Sequence, residues 1–155
     1  MRELILASTS PYRRRMLIDA GIAVRTESPG VDERAVEAPD SVSLARELAR
    51  RKARAVAARH PDDWVIGADQ VAYDPEQPDA PFGKPVDPED HFRRLRALVG
   101  RPHVLVTGFA VIGPHHEVVE HDVTTLVFRS DIDDAELRAY VATGEGAGCC
   151  GGYAI

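Results

Sequence analysis

The stretch that decides the fold lies at the start of the chain and reads Leu4-Ile5-Leu6-Ala7-Ser8-Thr9-Ser10-Pro11-Tyr12-Arg13-Arg14. The apolar residues predict a short buried strand over residues 3–7. Ser10 can cap a helix and Pro11 suits its first position, so a helix is expected from there to Ala20, ending at Gly21. A helix that starts in a hydroxyl-rich turn presents free amides and a positive dipole end, which together favour an anion.

The rest of the chain alternates between predicted strands and helices. Strands are expected at residues 23–27, 64–73, 103–112 and 118–128, with residues 69–70 interrupting the second of these. Helices are expected at residues 42–59, 87–100 and 133–144, the last opening with a capping box from Asp133 to Glu136. This order predicts a single-domain α/β fold in which helices flank an elongated mixed β-sheet.

The C-terminal residues predict an element that is only begun. Residues 151–155 read as the start of a strand, and the chain then stops. Nothing follows that could close the edge of such a strand. We therefore expect the natural domain to continue past Ile155.

Composition and charge exclude several classes of protein. The net charge of −6 argues against general affinity for nucleic acids or anionic membranes. No apolar run is long enough to span a bilayer, and the start of the chain is too quickly polar for a secretory signal, so a cytoplasmic protein is expected. Cys149 and Cys150 are adjacent, and a bridge between neighbours is strained, so a stabilising disulfide is not expected.

Three groups of cations could bind phosphate. Arg13 and Arg14 offer bidentate donors beside the first helix, although a capped helix with exposed arginines explains them equally simply. Lys52 shares the apolar stripe of a long helix, where it either has an anionic partner or extends to solvent. Lys84 follows Gly83 in a loop, and loop lysines are usually solvated.

Asp69 is the most informative acid, because it follows an apolar strand. Catalytic groups in α/β folds often stand at strand ends. Partial desolvation there would raise the pKa of the carboxyl and suit it to accept a proton from water, whereas the simpler explanation is a turn cap. Glu33 adds a second loop acid. Acids for a metal and water, together with cations for phosphates, indicate phosphate-ester chemistry.

The same residues, in the same order, resemble the Maf (septum formation protein) family. The matching blocks are residues 4–14, 31–33, 52–53, 66–71, 83–85, 107–108, 140–141 and 151–153. They span essentially the whole chain. The resemblance implies an inosine-triphosphatase-like α/β fold and a pyrophosphatase that converts nucleoside triphosphates to monophosphates with a divalent metal, Mg²⁺ or Mn²⁺.

The resemblance also assigns roles to individual residues. It implies that Asp69 accepts the proton and that Glu33, with Asp69, places the metal or water. It implies that the triphosphate is bound by Ser8, Arg13, Lys52 and Lys84, with assistance from Arg14.

Two positions separate the branches of the family. Tyr12 and Gln70 resemble the branch that acts on 7-methyl-GTP, whereas the dTTP/UTP branch has arginine and threonine there. An aromatic face attracts a cationic methylated guanine, and a carboxamide can bond a base edge. We therefore expect 7-methyl-GTP as substrate. The alternatives are dTTP, UTP or CTP, or a non-catalytic nucleotide-binding module linked to septum formation. The oligomeric state stays open, with a homodimer as one alternative.

Overall fold

The structure is a computed structural model that describes residues 3–154. It contains six strands and four α-helices among these residues. The strands are β1 Leu4–Ala7, β2 Arg25–Glu27, β3 Trp64–Tyr73, β4 Pro81–Phe82, β5 Pro102–Gly113 and β6 His116–Val127. The helices are α1 Pro11–Asp19, α2 Ser41–Ala57, α3 Pro88–Leu98 and α4 Asp134–Thr143, and 3₁₀ turns occupy Glu33–Ala35 and Cys150–Gly152. None of the helices within residues 3–154 has the length and apolar character needed to cross a membrane.

The strands form one mixed sheet, as predicted. Its order is β2-β1-β3-β5-β6, with β4 paired to β3. Strand β1 is parallel to both β2 and β3, and Ile5 is opposite Arg25 on one side and Val65 on the other. The short β4 runs antiparallel to β3. The expectation of an α/β fold with a mixed sheet is confirmed.

The chain divides into two compact units, each with its own core. The first unit comprises the described residues up to Asp69 together with Thr107–Asp122, and the second comprises Gln70–Val106 and the described residues from Val123 onward. In the first unit, α2 packs its alanines and Val56 against the apolar residues of β1, β3 and β5. In the second unit, α3 and α4 share a core with Tyr153. The single-domain organisation stays a prediction.

Local capping chemistry sets the helix starts where the sequence indicated them. Ser10 accepts a hydrogen bond from the amide of Arg13, and Pro11 is the first helical residue. The predicted capping box of α4 is present, with Asp133 and Glu136 each bonding the other's amide. These bonds satisfy amides that would otherwise lack partners at the start of each helix.

Two predictions about strands are wrong. Strand β3 runs through Asp69 and Gln70 without interruption, because its backbone pairing continues to Tyr73 opposite β4. The described part of the segment 151–155 is not a strand: Gly151 and Gly152 have φ of 77° and 82° and form a 3₁₀ turn. Left-handed backbone of this kind is favoured by glycine and cannot continue a β-ladder. Ile155 lies outside the described residues.

Candidate active site

The site is built where α2 crosses β3 within the first unit. Gly67 of β3 makes this approach possible, because a Cβ there would lie 2.3 Å from the carbonyl oxygen of Ala49. The close packing brings Lys52 of α2 to Asp69 of β3, and the ammonium Nζ contacts the carboxylate Oδ1. Both residues are buried, with 5% and 7% of their surfaces exposed. Lys52 therefore has an anionic partner and does not extend to solvent.

A second carboxylate reaches the same ammonium. Glu33 Oε1 lies 2.7 Å from Lys52 Nζ. The 3₁₀ turn that carries Glu33 begins at Asp32, whose side chain accepts a hydrogen bond from the amide of Arg34 at 3.1 Å. The ammonium of Lys52 is thus shared by a buried carboxylate and a half-exposed one.

The hydroxyl-rich turn after β1 adds a serine and an arginine to this site. Ser8 is buried, and its Oγ accepts hydrogen bonds from the amide of Ser10 at 3.1 Å and from Arg13 Nη1 at 3.5 Å. Arg13 is close enough to Asp69 to favour its charged form electrostatically. The structure therefore brings together five of the predicted site residues: Ser8, Arg13, Glu33, Lys52 and Asp69.

Asp69 has the electrostatic character expected of a proton acceptor. Burial raises the pKa of its carboxyl, and the nearby charges of Lys52 and Arg13 oppose that rise only in part. A carboxylate with a raised pKa holds a proton more readily than an aspartate in water.

Asp69 lies in the middle of β3, so the expectation of a strand-end position is wrong for this strand. The end that matters is that of its neighbour. Strand β1 pairs with β3 only as far as Leu6 opposite Ile66, and β1 ends at Ala7. Asp69 thus stands on the part of β3 that extends past the carboxyl end of β1, where the Ser8 turn begins.

A divalent cation fits the donor set of this site. Glu33 and Asp69 converge on one point, and Mg²⁺ is commonly held by one or two carboxylates together with substrate phosphates. In the part of the chain that the structure describes, no three histidine, cysteine, aspartate or glutamate side chains form a ready metal cage. The residues therefore suit a cation that arrives with a phosphorylated ligand.

The structure does not bring the remaining predicted residues into this group. The ring of Tyr12 is 60% exposed on α1, and Arg14 lines a separate shallow pocket with Ile18 and residues 21–24. Gln70 is exposed and belongs to the second unit, as does Lys84. The substrate-binding roles of these four residues stay predictions.

Sequence reasoning missed the part played by Gly67. The residue was noted only as one letter of the block at residues 66–71, although it sets the distance between α2 and β3. Gly108 of β5 has the same function against Ala45, where a Cβ would lie 2.3 Å from the carbonyl oxygen. A glycine within an apolar strand is a usable signal, because it often marks a close approach of another backbone.

Comparisons with known proteins agree with this site. The family described as Maf-like protein matches residues 3–155. A protein of Koribacter versatilis named dTTP/UTP pyrophosphatase is 41% identical over 98% of this chain and 77% of its own length. A protein of the same name from Thermus thermophilus is 41% identical over 97% of this chain and 75% of its own length. A Synechococcus relative named nucleoside triphosphate pyrophosphatase is 41% identical over 98% of this chain and 77% of its own length.

Solved structures share the fold at low sequence identity. A HAM1 protein from Coxiella burnetii superposes with a TM-score of 0.54 at 14% identity, covering 86% of this chain and 76% of that one. The Ham1 protein of Staphylococcus aureus gives the same TM-score at 16% identity, covering 83% of this chain and 73% of that one. The family match covers almost every residue, and relatives near 41% identity share it: the chain belongs to the Maf-like protein family.

Proposed function

We propose that this chain hydrolyses nucleoside triphosphates to nucleoside monophosphates and pyrophosphate. The observation that carries the proposal is the pairing of buried Asp69 with Lys52, next to Ser8 and Arg13. A proton acceptor and phosphate-binding cations in one place are what this hydrolysis requires. The pyrophosphatase names of the relatives support the same activity.

In the proposed reaction, Asp69 accepts a proton from a water molecule. The water oxygen forms a bond to the α-phosphorus while the bond from that phosphorus to the bridging oxygen breaks. The electron pair leaves with pyrophosphate, whose charge is balanced by Arg13 and Lys52. Ser8 donates its hydroxyl proton to a phosphate oxygen. Lys52 occupies both carboxylates in the free protein, and we expect triphosphate binding to draw it away from them.

Glu33 and Asp69 would hold a Mg²⁺ or Mn²⁺ ion. Such an ion neutralises phosphate charge and orients the attacked group when bound. Acidic residues next to phosphate-binding cations would otherwise repel a triphosphate, so the cation also explains why Glu33 belongs to the site. Measured turnover is expected to require the added metal.

We propose pyrimidine triphosphates, dTTP and UTP, as the substrates. The relatives near 41% identity from Koribacter versatilis and Thermus thermophilus support this choice by their names. The second candidate is 7-methyl-GTP, which an exposed aromatic ring at Tyr12 and the carboxamide of Gln70 would favour. Initial rates with dTTP, UTP, CTP and 7-methyl-GTP, measured side by side, decide between the candidates. A kcat/KM that is highest for 7-methyl-GTP would overturn the pyrimidine assignment.

The proposed function is tested by pyrophosphate release from this panel with Mg²⁺ or Mn²⁺. Asp69→Asn is expected to keep the fold and to lower kcat by about 10²–10⁴-fold, the range that a general base contributes. Asp62→Asn is the matched control, because it removes an exposed carboxylate just before the same strand.

Two results would contradict the proposal. Full turnover by the Asp69→Asn variant would remove Asp69 from its role. Nucleotide binding without any pyrophosphate release by the unmodified chain would support the non-catalytic nucleotide-binding module instead.

A further inference from the structure

The loop that carries Lys84 is held at both ends by helix α3, entirely within the second unit. On one side of Lys84, the carbonyl oxygen of Gly83 accepts a hydrogen bond from Arg94 Nη1 at 3.1 Å. On the other side, the amide of Val86 donates to Asp90 Oδ2 at 3.1 Å. Residues 83–86 are therefore fixed by bonds that flank the lysine and do not involve its side chain.

Asp90 joins the two ends of this arrangement. Its Oδ2, the atom that binds the Val86 amide, also accepts a hydrogen bond from Arg94 Nε at 2.6 Å. The Asp90 side chain is only 14% exposed, and the charge of Arg94 together with the Val86 amide lowers the pKa of its carboxyl. One carboxylate thus ties the end of the loop to the arginine that holds its beginning.

The glycine turn near the C-terminus supports the loop from another direction. Gly152 has a φ of 82°, and a Cβ at this position would lie 3.2 Å from Pro85 Cγ and 2.9 Å from the ring of His91. His91 is buried and bonds the carbonyl oxygen of Gly152 through Nε2. Pro85, the residue directly after Lys84, therefore packs against a surface that only glycine can provide.

Lys84 itself is left available. It is exposed, and no acidic side chain within residues 3–154 forms an ion pair with it. Nearby arginines have carboxylate partners: Arg94 binds Asp90, and Arg101 binds Asp74. A cation without a partner on a backbone tied at both ends is a suitable arrangement for binding an anion, because little backbone freedom is lost when the anion binds.

We propose that Asp90 and Arg94 are positioning residues, which hold the Lys84 loop so that its ammonium binds the triphosphate of the substrate. The inference rests on the proposed function, in which Lys84 binds that triphosphate. Asp90 and Arg94 do not touch the substrate themselves. The simpler explanation is an ordinary i,i+4 ion pair that stabilises α3. That explanation gives no reason for a change in substrate binding that depends on Lys84.

A double-mutant cycle separates the two explanations. Asp90→Ala is expected to lower kcat/KM by about 10–100-fold, mainly through KM, because a misplaced binding group loses about that much. In the Lys84→Ala background, the same Asp90→Ala change should cost less than about threefold, because the group that it positions is already absent. Glu89→Ala is the matched control: this exposed neighbour on α3 pairs with Arg138, at 3.3 Å, and should leave both parameters unchanged.

Hydrogen exchange gives a readout that does not depend on activity. The Val86 amide should exchange faster in Asp90→Ala and at the original rate in Glu89→Ala. Asp90→Asn keeps an acceptor for Val86 but loses the charge that holds Arg94, so it serves as a milder second variant if Asp90→Ala does not fold. Its expected loss in kcat/KM is smaller and is again absent without Lys84.

The outcomes can be told apart. Equal losses from Asp90→Ala with and without Lys84, or unchanged exchange at Val86, would overturn the positioning role while the pyrophosphatase activity stands. If the unmodified chain releases no pyrophosphate, the proposed function fails and the catalytic consequence of the loop fails with it. Faster exchange at Val86 in that case would show that only the structural tie exists.

Discussion

Replacing Lys52 by methionine should expose the dependence of this site on one buried charge. The substitution keeps most of the apolar stem and removes the ammonium that contacts Asp69, whose side chain is 10% exposed. Removing one partner of a buried ion pair costs about 3–5 kcal/mol. Glu33 also loses its partner, but its side chain is 46% exposed, so water replaces most of that interaction.

Protonation of Asp69 limits this cost and makes it depend on pH. At pH 7 the carboxyl can take up a proton for no more than about 4 kcal/mol, because pH 7 lies about three pH units above the ordinary aspartate pKa. At pH 5 the same limit is about 1.5 kcal/mol. Burial already raises the folded-state pKa of Asp69, so its ionisation opposes folding as the pH rises above about 4. Loss of Lys52 enlarges that effect.

We therefore expect Lys52→Met to lower the free energy of unfolding by about 3–4 kcal/mol at pH 7 and by about 1.5 kcal/mol or less at pH 5. Urea unfolding at the two pH values measures this difference. The control is Lys52→Met combined with Asp69→Asn, which leaves no buried carboxylate and should lose the added pH dependence. An equal loss from Lys52→Met at pH 5 and pH 7 would refute the reasoning.

Two further predictions concern stability. Gly67→Ala should destabilise the protein by about 3 kcal/mol or more in urea unfolding, because the added Cβ meets the main chain of α2, whereas Gly148→Ala has open space and should change stability by less than about 0.5 kcal/mol; comparable losses in both variants would contradict this. Glu27→Gln should lower the melting temperature at pH 7, because Arg59 and His60 bond this carboxylate and Arg59 in particular lowers its pKa to about 2. The stabilisation is present above pH 4.5 and is lost as the pH falls towards 2, so the unmodified and variant melting temperatures should converge in acid; a difference that persists there would count against the ion-pair explanation.

Several elements could be predicted because their signals are local. Ser10 and Pro11 start α1, and Asp133 with Glu136 starts α4, through bonds that span three residues or fewer. The order of strands and helices followed from the same kind of signal and indicated the mixed sheet correctly. Bonds within one turn of a helix depend on neighbouring residues alone, so they can be identified before the fold is known.

Other features were misjudged because distant residues decide them. The polar pair at Asp69 and Gln70 looked like an interruption, yet pairing with neighbouring strands carries β3 through it. Residues 151–152 looked extended, yet both adopt left-handed backbone, and the second lies against Pro85 and His91. In both places tertiary partners override the local preference.

The sequence by itself determined the kinds of chemical groups present and their order: a hydroxyl-rich turn before a capped helix, a lysine on an apolar stripe, and an acid in an apolar strand. Only the tertiary structure decided that Lys52 meets Asp69 and Glu33 instead of reaching solvent. That meeting requires α2 to pack on Gly67, and burial then raises the pKa of Asp69. Desolvation and ion pairing depend on what surrounds a group in space, which the order of residues along the chain does not specify.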